Sequence, residues 1–530
     1  MVHRLVVASL LASSTAAFAG AKLEPDDLPG PQPEVAAQVA QGAPVVLPAI
    51  PAFDLPAAEP GFHGPRELRV RGKRLLGTEI QVKGYITWIY DCPAALARTN
   101  PAATRAQILL SIDKDPTLCE RPKFYLGDAK TTPRDASIWV VDVPRAPNRL
   151  ERQRLSKDEL AAWPAAPRLA VGDYVVVTGT WGIYSPHSEH NTDGLLTFKA
   201  LGHAVPAPGP STATVPASAA AEPEIAVVTK PPLRKRVDDE TRNASVGHLN
   251  ACNKAIAARR YDDGITECKA ATTAWDGNHL AWYAWASAHM AKGEWPQAEA
   301  AVAHAVALRP DLGMYQLYHG ISLYEAERQN ARDDQARREH KKPDEIVLDP
   351  SAMKLDAARD ALARAVKLAP DLWRAHYYLG RVYRDLDDAR REAEQFTATI
   401  KTYPGYRFGY IALIELYRRW DYNDEALAVA TLGTVTVPAA EASELWFELG
   451  MAHDAKHADD KAIEAFGKVI AGKPDDVAAK FQRGQVYLRK RELANATRDL
   501  EDVVKSTDPR MVAERQVATQ LLTQIAGKKQ

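Results

Sequence analysis

The feature that most constrains the fold is a proline that recurs about every 34 residues over much of the C-terminal half. Pro370, Pro404 and Pro438 are separated by two steps of 34 residues, and between them Ala, Leu, Arg, Glu and Asp follow a helical period. A fixed period of about 20–50 residues is typical of repeat architectures. The pattern therefore predicts a stack of helical hairpins over 241–526.

Small and large apolar residues recur at fixed places between these prolines. One unit contains Leu379-Gly380, Tyr383, Phe396 and Pro404, and the clearest unit contains Trp446, Leu449-Gly450, Ala462, Phe466 and Pro474. This array resembles the tetratricopeptide repeat (TPR) family. The resemblance implies that small residues let the two helices of a hairpin approach closely. It also implies that large residues fill the space to the next hairpin and that proline ends the second helix.

The array contains seven units by this count. They are predicted to begin near residues 245, 279, 313, 373, 407, 443 and 477. The third unit carries a highly charged insertion of about 26 residues near 326–351, by the spacing of the repeat. Residues 511–526 are predicted to form a final capping helix, so the solenoid would occupy 241–530. In the fourth unit Glu392 stands where the family usually has alanine.

The N-terminus has the pattern of a secretory signal peptide over residues 1–19. A short basic start is followed by the apolar run LVVASLLA and by Ala17-Phe18-Ala19, which fits a signal-peptidase site. A buried N-terminal helix is the alternative. We expect an exported protein that is periplasmic or associated with the cell envelope. No later stretch approaches 18 uninterrupted apolar residues, so we expect no transmembrane segment in the mature chain.

Residues 67–205 have the pattern of a small all-β domain. Turn residues separate five runs rich in β-branched and aromatic residues, EIQVKGYITWIY, KFYLGDA, SIWVVDV, DYVVVTGTW and LLTFKAL. Five such strands suit a small closed barrel. The run at 171–182 resembles the fourth strand of OB-folds, in which a Gly-Asp turn precedes the strand. An SH3-like barrel or a small sandwich would give a similar pattern.

Two proline-rich stretches separate these regions. Of the 36 prolines, 17 lie in 24–66 and 204–233. Residues 20–66 are predicted to be disordered and 206–240 to be a flexible linker, because neither can bury enough apolar surface to offset the entropy of the backbone. The predicted fold is therefore multidomain, an all-β OB-like small barrel followed by an all-α TPR solenoid.

The four cysteines fall into two pairs, each within one predicted domain. An even number of cysteines in an exported protein favours disulfides, so Cys92–Cys119 and Cys252–Cys268 are predicted to be bonded. Free buried thiols are the alternative. Neither pair has the CxxC spacing that a zinc site would favour, so no metal is expected. A bond between Cys252 and Cys268 would staple the first hairpin of the solenoid.

The resemblance to TPR proteins implies a concave groove lined by the first helix of each hairpin. At the groove positions the fourth and fifth units offer mainly arginines and aromatic residues, which suit carboxylates and apolar side chains. Arginines paired with nearby acids such as Asp385 and Glu415 are the alternative. The predicted groove residues are Arg374, Tyr377, Arg381, Arg384, Phe408, Ile411, Arg418, Arg419, Phe447 and Phe481.

The β domain offers two weaker candidate sites. Arg66, Arg69, Arg71, Lys73 and Arg74 would form a basic stripe on an edge strand, beside Tyr85, Trp88 and Tyr90 on the next strand. His187, His190 and Asp193 could hold a metal ion, but the run reads as a long polar loop between two predicted strands, and a solvated loop is the favoured interpretation.

The predicted function is that of a non-enzymatic, exported adaptor for protein–protein interactions. No GxSxG, HExxH or glycine-rich phosphate loop occurs, so neither catalysis nor a cofactor is expected. The 67 basic and 68 acidic side chains nearly cancel, which excludes a polyanion-coating protein, and no nucleic acid partner is expected. The partner would be an acidic or amphipathic segment, and the role envelope assembly or secretion. The alternative is an envelope enzyme or a carbohydrate- or polyanion-binding protein with its site in the β domain.

Overall fold

A computed structural model describes most of the chain. It covers residues 45–56, 59–100, 102–187, 190–204, 214–216, 225–230, 237–346, 348–508 and 511–527. The predicted signal peptide lies outside the described residues. The described chain divides into two compact units. The first unit comprises residues 45–50, 225–416 and 424–449, and the second comprises residues 51–216, 417–423 and 450–527.

The N-terminal part of the second unit contains strands and short helices. The strands are β1 (Asp54–Pro56), β2 (Glu79–Ile89), β3 (Phe124–Gly127), β4 (Ile138–Val141), β5 (Tyr174–Tyr184), β6 (His190–His203) and β7 (Thr214–Pro216). The helices are α1 (Pro65–Arg71), α2 (Cys92–Thr99), α3 (Arg105–Lys114), α4 (Arg149–Arg154) and α5 (Lys157–Ala161). The five runs predicted as strands are therefore confirmed as β2 to β6.

Strands β2 to β6 form a five-stranded sheet domain. The order is β2-β3-β4-β6-β5, and β2 pairs with β5 as well as with β3. The pair β4–β6 is parallel and the other pairs are antiparallel. Because side chains alternate across a strand, one face of every strand points into a common core. The fully buried members of that core include Val82, Phe124, Val140, Val177 and Leu196.

A bulge in β2 changes the face on which its last residues lie. Ile86 pairs with Leu126, whereas Trp88 pairs with Tyr125, so Thr87 is an extra residue in β2. One extra residue reverses the alternation of side chains along a strand. Trp88 therefore lies on the side of Tyr125, opposite the core face that Ile86 occupies.

Fifteen helices lie between residues 237 and 527 of the described chain. They are α6 (Asp239–Ala257), α7 (Tyr261–Ala274), α8 (His279–Lys292), α9 (Trp295–Leu308), α10 (Gly313–Glu339), α11 (Asp356–Leu368), α12 (Trp373–Asp385), α13 (Ala389–Thr402), α14 (Arg407–Arg419), α15 (Asn423–Thr436), α16 (Ser443–Ala455), α17 (Asp459–Gly472), α18 (Val477–Arg489), α19 (Leu493–Lys505) and α20 (Val512–Gly527).

The helices from α6 to α19 alternate as first and second members of hairpins. Helices α8, α10, α12, α14, α16 and α18 begin at residues 279, 313, 373, 407, 443 and 477, which are the predicted starts of six units. The insertion in the third unit begins as a continuation of α10, which has 27 residues. Its apolar residues Ala331, Ala336 and Ile346 are at most 9% exposed.

Glycine at the first helix of a hairpin permits a close approach of the second helix. A Cβ placed on Gly450 of α16 would lie 2.5 Å from Cε1 of Phe466 on α17. The same atom placed on Gly467, also in α17, would lie 3.8 Å from its nearest neighbour, Nη1 of Arg483.

These two glycines give a matched prediction. We expect Gly450→Ala to lower the free energy of unfolding by about 1–3 kcal/mol, because the added methyl group overlaps a buried ring. We expect Gly467→Ala to raise it by about 0.5–1 kcal/mol, because alanine is the better helix former and has room. Urea unfolding of both variants checks this, and equal effects would contradict it.

The described parts of the proline-rich stretches make specific contacts. Strand β1 pairs with β7 in an antiparallel ribbon. In the first unit Ile225 is 8% exposed within a hydrophobic cluster, and its carbonyl oxygen accepts a hydrogen bond from Nζ of Lys367 at 3.1 Å. Both stretches, the first predicted as disordered and the second as a flexible linker, thus contain residues with specific contacts, because Phe53, Leu55 and Ile225 are buried.

Phe53 is held by aromatic side chains in the second unit. Its ring centroid lies 5.2 Å from that of Trp420, 5.4 Å from that of Tyr422 and 6.1 Å from that of Tyr417. Phe53 and Trp420 are both fully buried. Beside them, Arg69 donates two hydrogen bonds to the carboxylate of Asp421, at 2.8 and 2.9 Å. The segment 417–423 therefore packs with the N-terminal part of the second unit.

Both predicted cysteine pairs lie at disulfide distance. The Cα atoms of Cys92 and Cys119 are 5.4 Å apart, and those of Cys252 and Cys268 are 5.2 Å apart. The first pair ties the start of α2 to the turn after α3 in the second unit. The second pair joins α6 to α7 in the first unit, where both cysteines are fully buried.

Candidate functional site

The predicted groove residues fall on the first helices of successive hairpins. Arg374, Tyr377, Arg381 and Arg384 lie on α12, and Phe408, Ile411, Arg418 and Arg419 lie on α14. Phe447 lies on α16 and Phe481 on α18. In the first unit Tyr377 and Phe408 contact the ring of Tyr406. Phe481 is 8% exposed and belongs to a hydrophobic cluster with residues of α19 and α20 in the second unit.

Arg381 is paired with an acid from another repeat of the first compact unit. Its Nη1 lies 2.9 Å from Oε1 of Glu325 on α10, and its side chain is 14% exposed. The guanidinium also lies over the rings of Tyr324 and Tyr378, 4.9 and 5.0 Å from their centroids. Although burial alone would lower the pKa of Arg381, Tyr324 and Glu325 raise it above its usual value.

A second arginine in the same region is also neutralised. Nη1 of Arg328 donates to Oδ2 of Asp385 at 2.9 Å and to the Tyr324 hydroxyl at 3.0 Å. The Tyr324 hydroxyl in turn donates to Asp385 at 2.6 Å. Burial is the main reason why the pKa of Tyr324 is raised, so this hydroxyl remains a donor at neutral pH.

Arg384 has two carboxylate partners. Its Nε lies 3.0 Å from Oε1 of Glu392, which is fully buried, and its Nη1 lies 3.5 Å from Oε2 of Glu415. The charge of Arg384 explains why a glutamate is tolerated at a position where the repeat pattern has alanine. A buried carboxylate without such a partner would be strongly destabilising.

These pairings change the electrostatic character expected of the groove. Arg328, Arg381 and Arg384 have four carboxylate partners, which are Glu325, Asp385, Glu392 and Glu415. The predicted groove residues included none of these four acids, so the sequence suggested a basic centre. At Arg381 and Arg384 the structure agrees with the alternative interpretation, in which the arginines are paired with nearby acids.

Aromatic rings form a continuous set beside the paired arginines. The Tyr406 ring centroid lies 4.3 Å from that of Trp373, 5.1 Å from that of Tyr377 and 5.5 Å from that of Phe408. Tyr377, Tyr406 and Phe408 are half-buried. The groove prediction contained Tyr377 and Phe408 but missed Tyr406, which immediately precedes α14. The sequence signal that could have identified Tyr406 is its position between two consecutive repeats.

The outer face of the five-stranded sheet carries a second aromatic row. Ring centroids of Trp88 and Tyr125 are 5.1 Å apart, and those of Tyr125 and Trp139 are 5.7 Å apart. The exposed Arg134 lies over the rings of Trp88 and Tyr125, at 4.3 and 5.0 Å from their centroids. Lys123 lies 5.8 Å from the Trp139 ring. We call these five residues the aromatic row.

The basic stripe does not lie on a strand, which corrects the sequence expectation. Arg66, Arg69 and Arg71 lie on α1, and Lys73 and Arg74 follow in a 3-10 turn. Pro65 takes the first helical position and the Glu67 carboxylate accepts from the Gly64 backbone at 3.3 Å, which favours a helix start. Arg69 is paired with Asp421, so this member of the stripe contributes to packing within the second unit.

The histidine-rich loop gives no metal site among the described residues. Nδ1 of His187 lies 2.6 Å from Oδ1 of Asp142, while the side chains of His190 and Asp193 lie outside the described residues. No group of three potential metal ligands is found in the described part of the chain. Among the residues that the structure describes, none of the helices is both long and apolar enough to cross a membrane.

The solved structures that match this chain have low sequence identity and low TM-scores. A tetratricopeptide repeat protein from Parabacteroides merdae is 11% identical with a TM-score of 0.35, over 54% of this chain and 99% of that one. A Pseudomonas aeruginosa pilF structure is 13% identical with a TM-score of 0.35, over 47% and 100%. MamA from Desulfovibrio magneticus is 20% identical with a TM-score of 0.26, over 34% and 94%.

A comparison with protein-family models identifies repeats in two stretches of this chain. A search of curated proteins found no match. A tetratricopeptide repeat model matches residues 352–407 and 447–510, which cover α11 to α13 and α16 to α19. Both segments consist of the paired helices that the 34-residue spacing predicted. Residues 352–407 and 447–510 therefore carry tetratricopeptide repeats.

Proposed function

We propose that this protein is a non-enzymatic adaptor that binds a segment of another protein in the groove of its helical repeats. The observation that carries the proposal is the set of half-buried side chains along the first helices of the hairpins, in a chain with tetratricopeptide repeats. Aromatic and aliphatic residues such as Tyr377, Phe408 and Ile411 offer the apolar contacts on which interfaces depend. Within the first unit, the groove residues proposed from the sequence on α12 and at the start of α14 form the candidate surface.

The experiment compares a groove variant with a matched surface variant in the full chain. Ile411→Glu places a charge on α14 at the proposed groove, while Val435→Glu makes the same kind of change at a residue that is 78% exposed on α15. Each tagged protein would be used to capture partners from envelope extract. Circular dichroism would first establish that both variants are folded.

We expect a partner that is retained by Val435→Glu and lost by Ile411→Glu. Introducing a charge into an apolar contact should reduce affinity about tenfold or more, since an uncompensated buried charge is costly. A partner retained equally by both folded variants would contradict the groove proposal.

We also propose that the protein is exported and acts at the cell envelope, in assembly or secretion. Two disulfides support an oxidising compartment, because cytosolic thiols are kept reduced. N-terminal sequencing of the protein recovered from its host would test this. A mature N-terminus after Ala19 is expected, and an intact Met1 on the purified protein would contradict export.

A second candidate function is ligand binding by the five-stranded domain, for which an OB-like arrangement is proposed. The pairing of β2 with both β3 and β5 supports that arrangement. The observation that favours binding is the aromatic row with Arg134, because rings and cations together suit acidic carbohydrates or other polyanions.

The test uses acidic and neutral oligosaccharides as probes of the full chain. Oligogalacturonate is expected to change the tryptophan fluorescence, and Arg134→Ala should weaken this binding about tenfold, since it removes a charged contact. Tyr184→Ala is the control, because that ring is 61% exposed in the same domain but outside the aromatic row. Equal binding by the two variants would exclude the aromatic row as the site.

A further inference from the structure

The longest helix of the five-stranded domain, α3, presents two leucines to solvent. Ile108 on α3 is buried, whereas the side chains of Leu109 and Leu110 are 47% and 54% exposed. This region contains four of the large apolar side chains that are exposed in the described chain, which are Leu109, Leu110, Leu118 and Leu150. Exposed apolar residues that are grouped mark interaction sites, whereas single ones are ordinary features of a surface.

Helix geometry places basic side chains beside these leucines. Residues four apart are neighbours on the surface of a helix, so Arg105 lies beside Leu109. By the same spacing Lys114 lies beside Leu110. All four positions are exposed, and they therefore form one surface of α3.

A second helix adds to this surface. Asp113 lies one turn after both leucines, and its Oδ2 accepts a hydrogen bond from Nη1 of Arg149 at 3.1 Å. The contact holds the start of α4 beside α3, and Arg152 follows one turn later on α4. We define the leucine patch as six residues of α3 and α4, which are Arg105, Leu109, Leu110, Lys114, Arg149 and Arg152.

The charges on α2, α3 and α4 are mostly basic. Residues 92–118 and 149–154 contain six basic and three acidic side chains. Each of the three acids is held by another group, and these groups are Arg149, Thr117 and Arg145. Within the part of the chain that the structure describes, no carboxylate pairs with three bases of the leucine patch, which are Arg105, Lys114 and Arg152. The leucine patch therefore combines exposed apolar area with positive charge that no acid neutralises.

The framework of α3 is fixed by its own contacts. The Thr104 hydroxyl accepts a hydrogen bond from the Gln107 backbone at 3.3 Å, and Gln107 Oε1 accepts one from the Thr104 backbone at 2.8 Å. This reciprocal cap stabilises the first turn of α3. The bond between Cys92 and Cys119 ties the turn after α3 to the start of α2. The leucines are thus presented on a helix that needs no ligand to form.

We propose that the leucine patch binds the surface of an anionic lipid bilayer. Leucines that enter the headgroup boundary and bases that are attracted to anionic lipids are the two contributions to such a contact. The residue types favour lipid over a protein partner, because lysine is depleted at protein interfaces and leucine is under-represented among the residues that dominate their affinity. The inference goes beyond the proposed adaptor function and involves none of the groove residues.

The test measures sedimentation of the full chain with lipid vesicles. Vesicles of phosphatidylcholine with about one third phosphatidylglycerol provide the anionic surface, and pure phosphatidylcholine vesicles are the neutral relative. We expect binding to the anionic vesicles to be about tenfold tighter or more, since each base near an anionic surface adds to the attraction. Most of this difference should disappear between about 0.1 M and about 0.5 M salt, because salt screens exposed charges.

Two double variants separate the apolar contribution from the charged one. Leu109→Ser/Leu110→Ser should weaken binding to anionic vesicles about tenfold or more, because it removes apolar area without changing the charge. Arg105→Gln/Lys114→Gln should lower the preference for anionic vesicles about tenfold while the leucines remain. Val171→Ser is the matched control, since Val171 is 62% exposed in the same unit but precedes β5. Circular dichroism would establish that all variants are folded.

Three results would overturn the inference. The first is that the unchanged chain fails to bind anionic vesicles, and the second is that it binds neutral and anionic vesicles equally. The third is equal binding by the folded Leu109→Ser/Leu110→Ser variant and the Val171→Ser control. A protein captured through the leucine patch by a chain that binds no vesicles would make this surface a protein interface instead. The Ile411→Glu capture experiment concerns the groove alone, so the two proposals can fail separately.

Discussion

Replacement of Phe53 by alanine is expected to lower the free energy of unfolding by about 3–5 kcal/mol, which is typical of a buried phenylalanine. The ring is fully buried among Tyr417, Trp420 and Tyr422 in the second unit, so its removal leaves a cavity among aromatic side chains. Urea unfolding followed by tryptophan fluorescence measures the loss. The fluorescence of Trp420, whose ring contacts Phe53, should change at the same time.

The matched control is Leu109→Ala, which removes an apolar side chain that is 47% exposed on α3 in the same unit. Its expected effect is within about 0.5 kcal/mol, as for most surface positions. Limited proteolysis provides a second readout, with faster cleavage near 45–56 and 417–423 in Phe53→Ala. An unfolding midpoint equal to that of the control would show that Phe53 contributes no more than a surface residue.

Loss of the Cys252–Cys268 bond is expected to cost about 3 kcal/mol, the value for a closed loop of about 15 residues. The sequence separation is 16 residues. The bond joins α6 to α7, the first hairpin of the array, which packs against α8 through a cluster that includes Cys252, Cys268 and Ala284. We therefore expect the Cys252→Ala/Cys268→Ala variant to show faster hydrogen exchange in α6 and α7 than the unchanged protein, with a smaller increase in the rest of the first unit.

The other disulfide supplies the control for this prediction. Cys92→Ala/Cys119→Ala removes a bond with a separation of 27 residues in the second unit. It should leave the exchange rates of α6 and α7 unchanged while destabilising the segment of α2 and α3. Unchanged protection of α6 and α7 in the Cys252→Ala/Cys268→Ala variant would contradict a stapling role.

Local pattern was sufficient for most of the secondary structure, because the repeat period and the strand alternation are short-range signals. Helix starts at residues 279, 373 and 407 follow from the period alone. The helix α1 was missed because Leu68-Arg69-Val70-Arg71 alternates apolar and basic residues as in a strand, although Pro65 and Glu67 carried the signal for a helix start.

The parts that were missed depend on residues distant in the sequence. Phe53 meets Trp420 across more than three hundred residues, and Arg381 meets Glu325 across an insertion that breaks the repeat. The pattern of one helix gives the side chains on its face but not the charges that neighbouring helices bring to it. For this reason the arginines of α12 were identified correctly as residues of one helix, while the net charge around them was not.

The two-stranded ribbon has a consequence for how this chain can be rearranged. Asp54 lies opposite Pro216, and Pro56 lies opposite Thr214, so the polypeptide enters and leaves the five-stranded domain at adjacent positions. Cα atoms facing each other across an antiparallel pair are about 4.5–5.5 Å apart, a gap that one or two residues bridge. The domain thus has the geometry of an insertion cassette, which recombination could remove or exchange without rerouting the chain on either side.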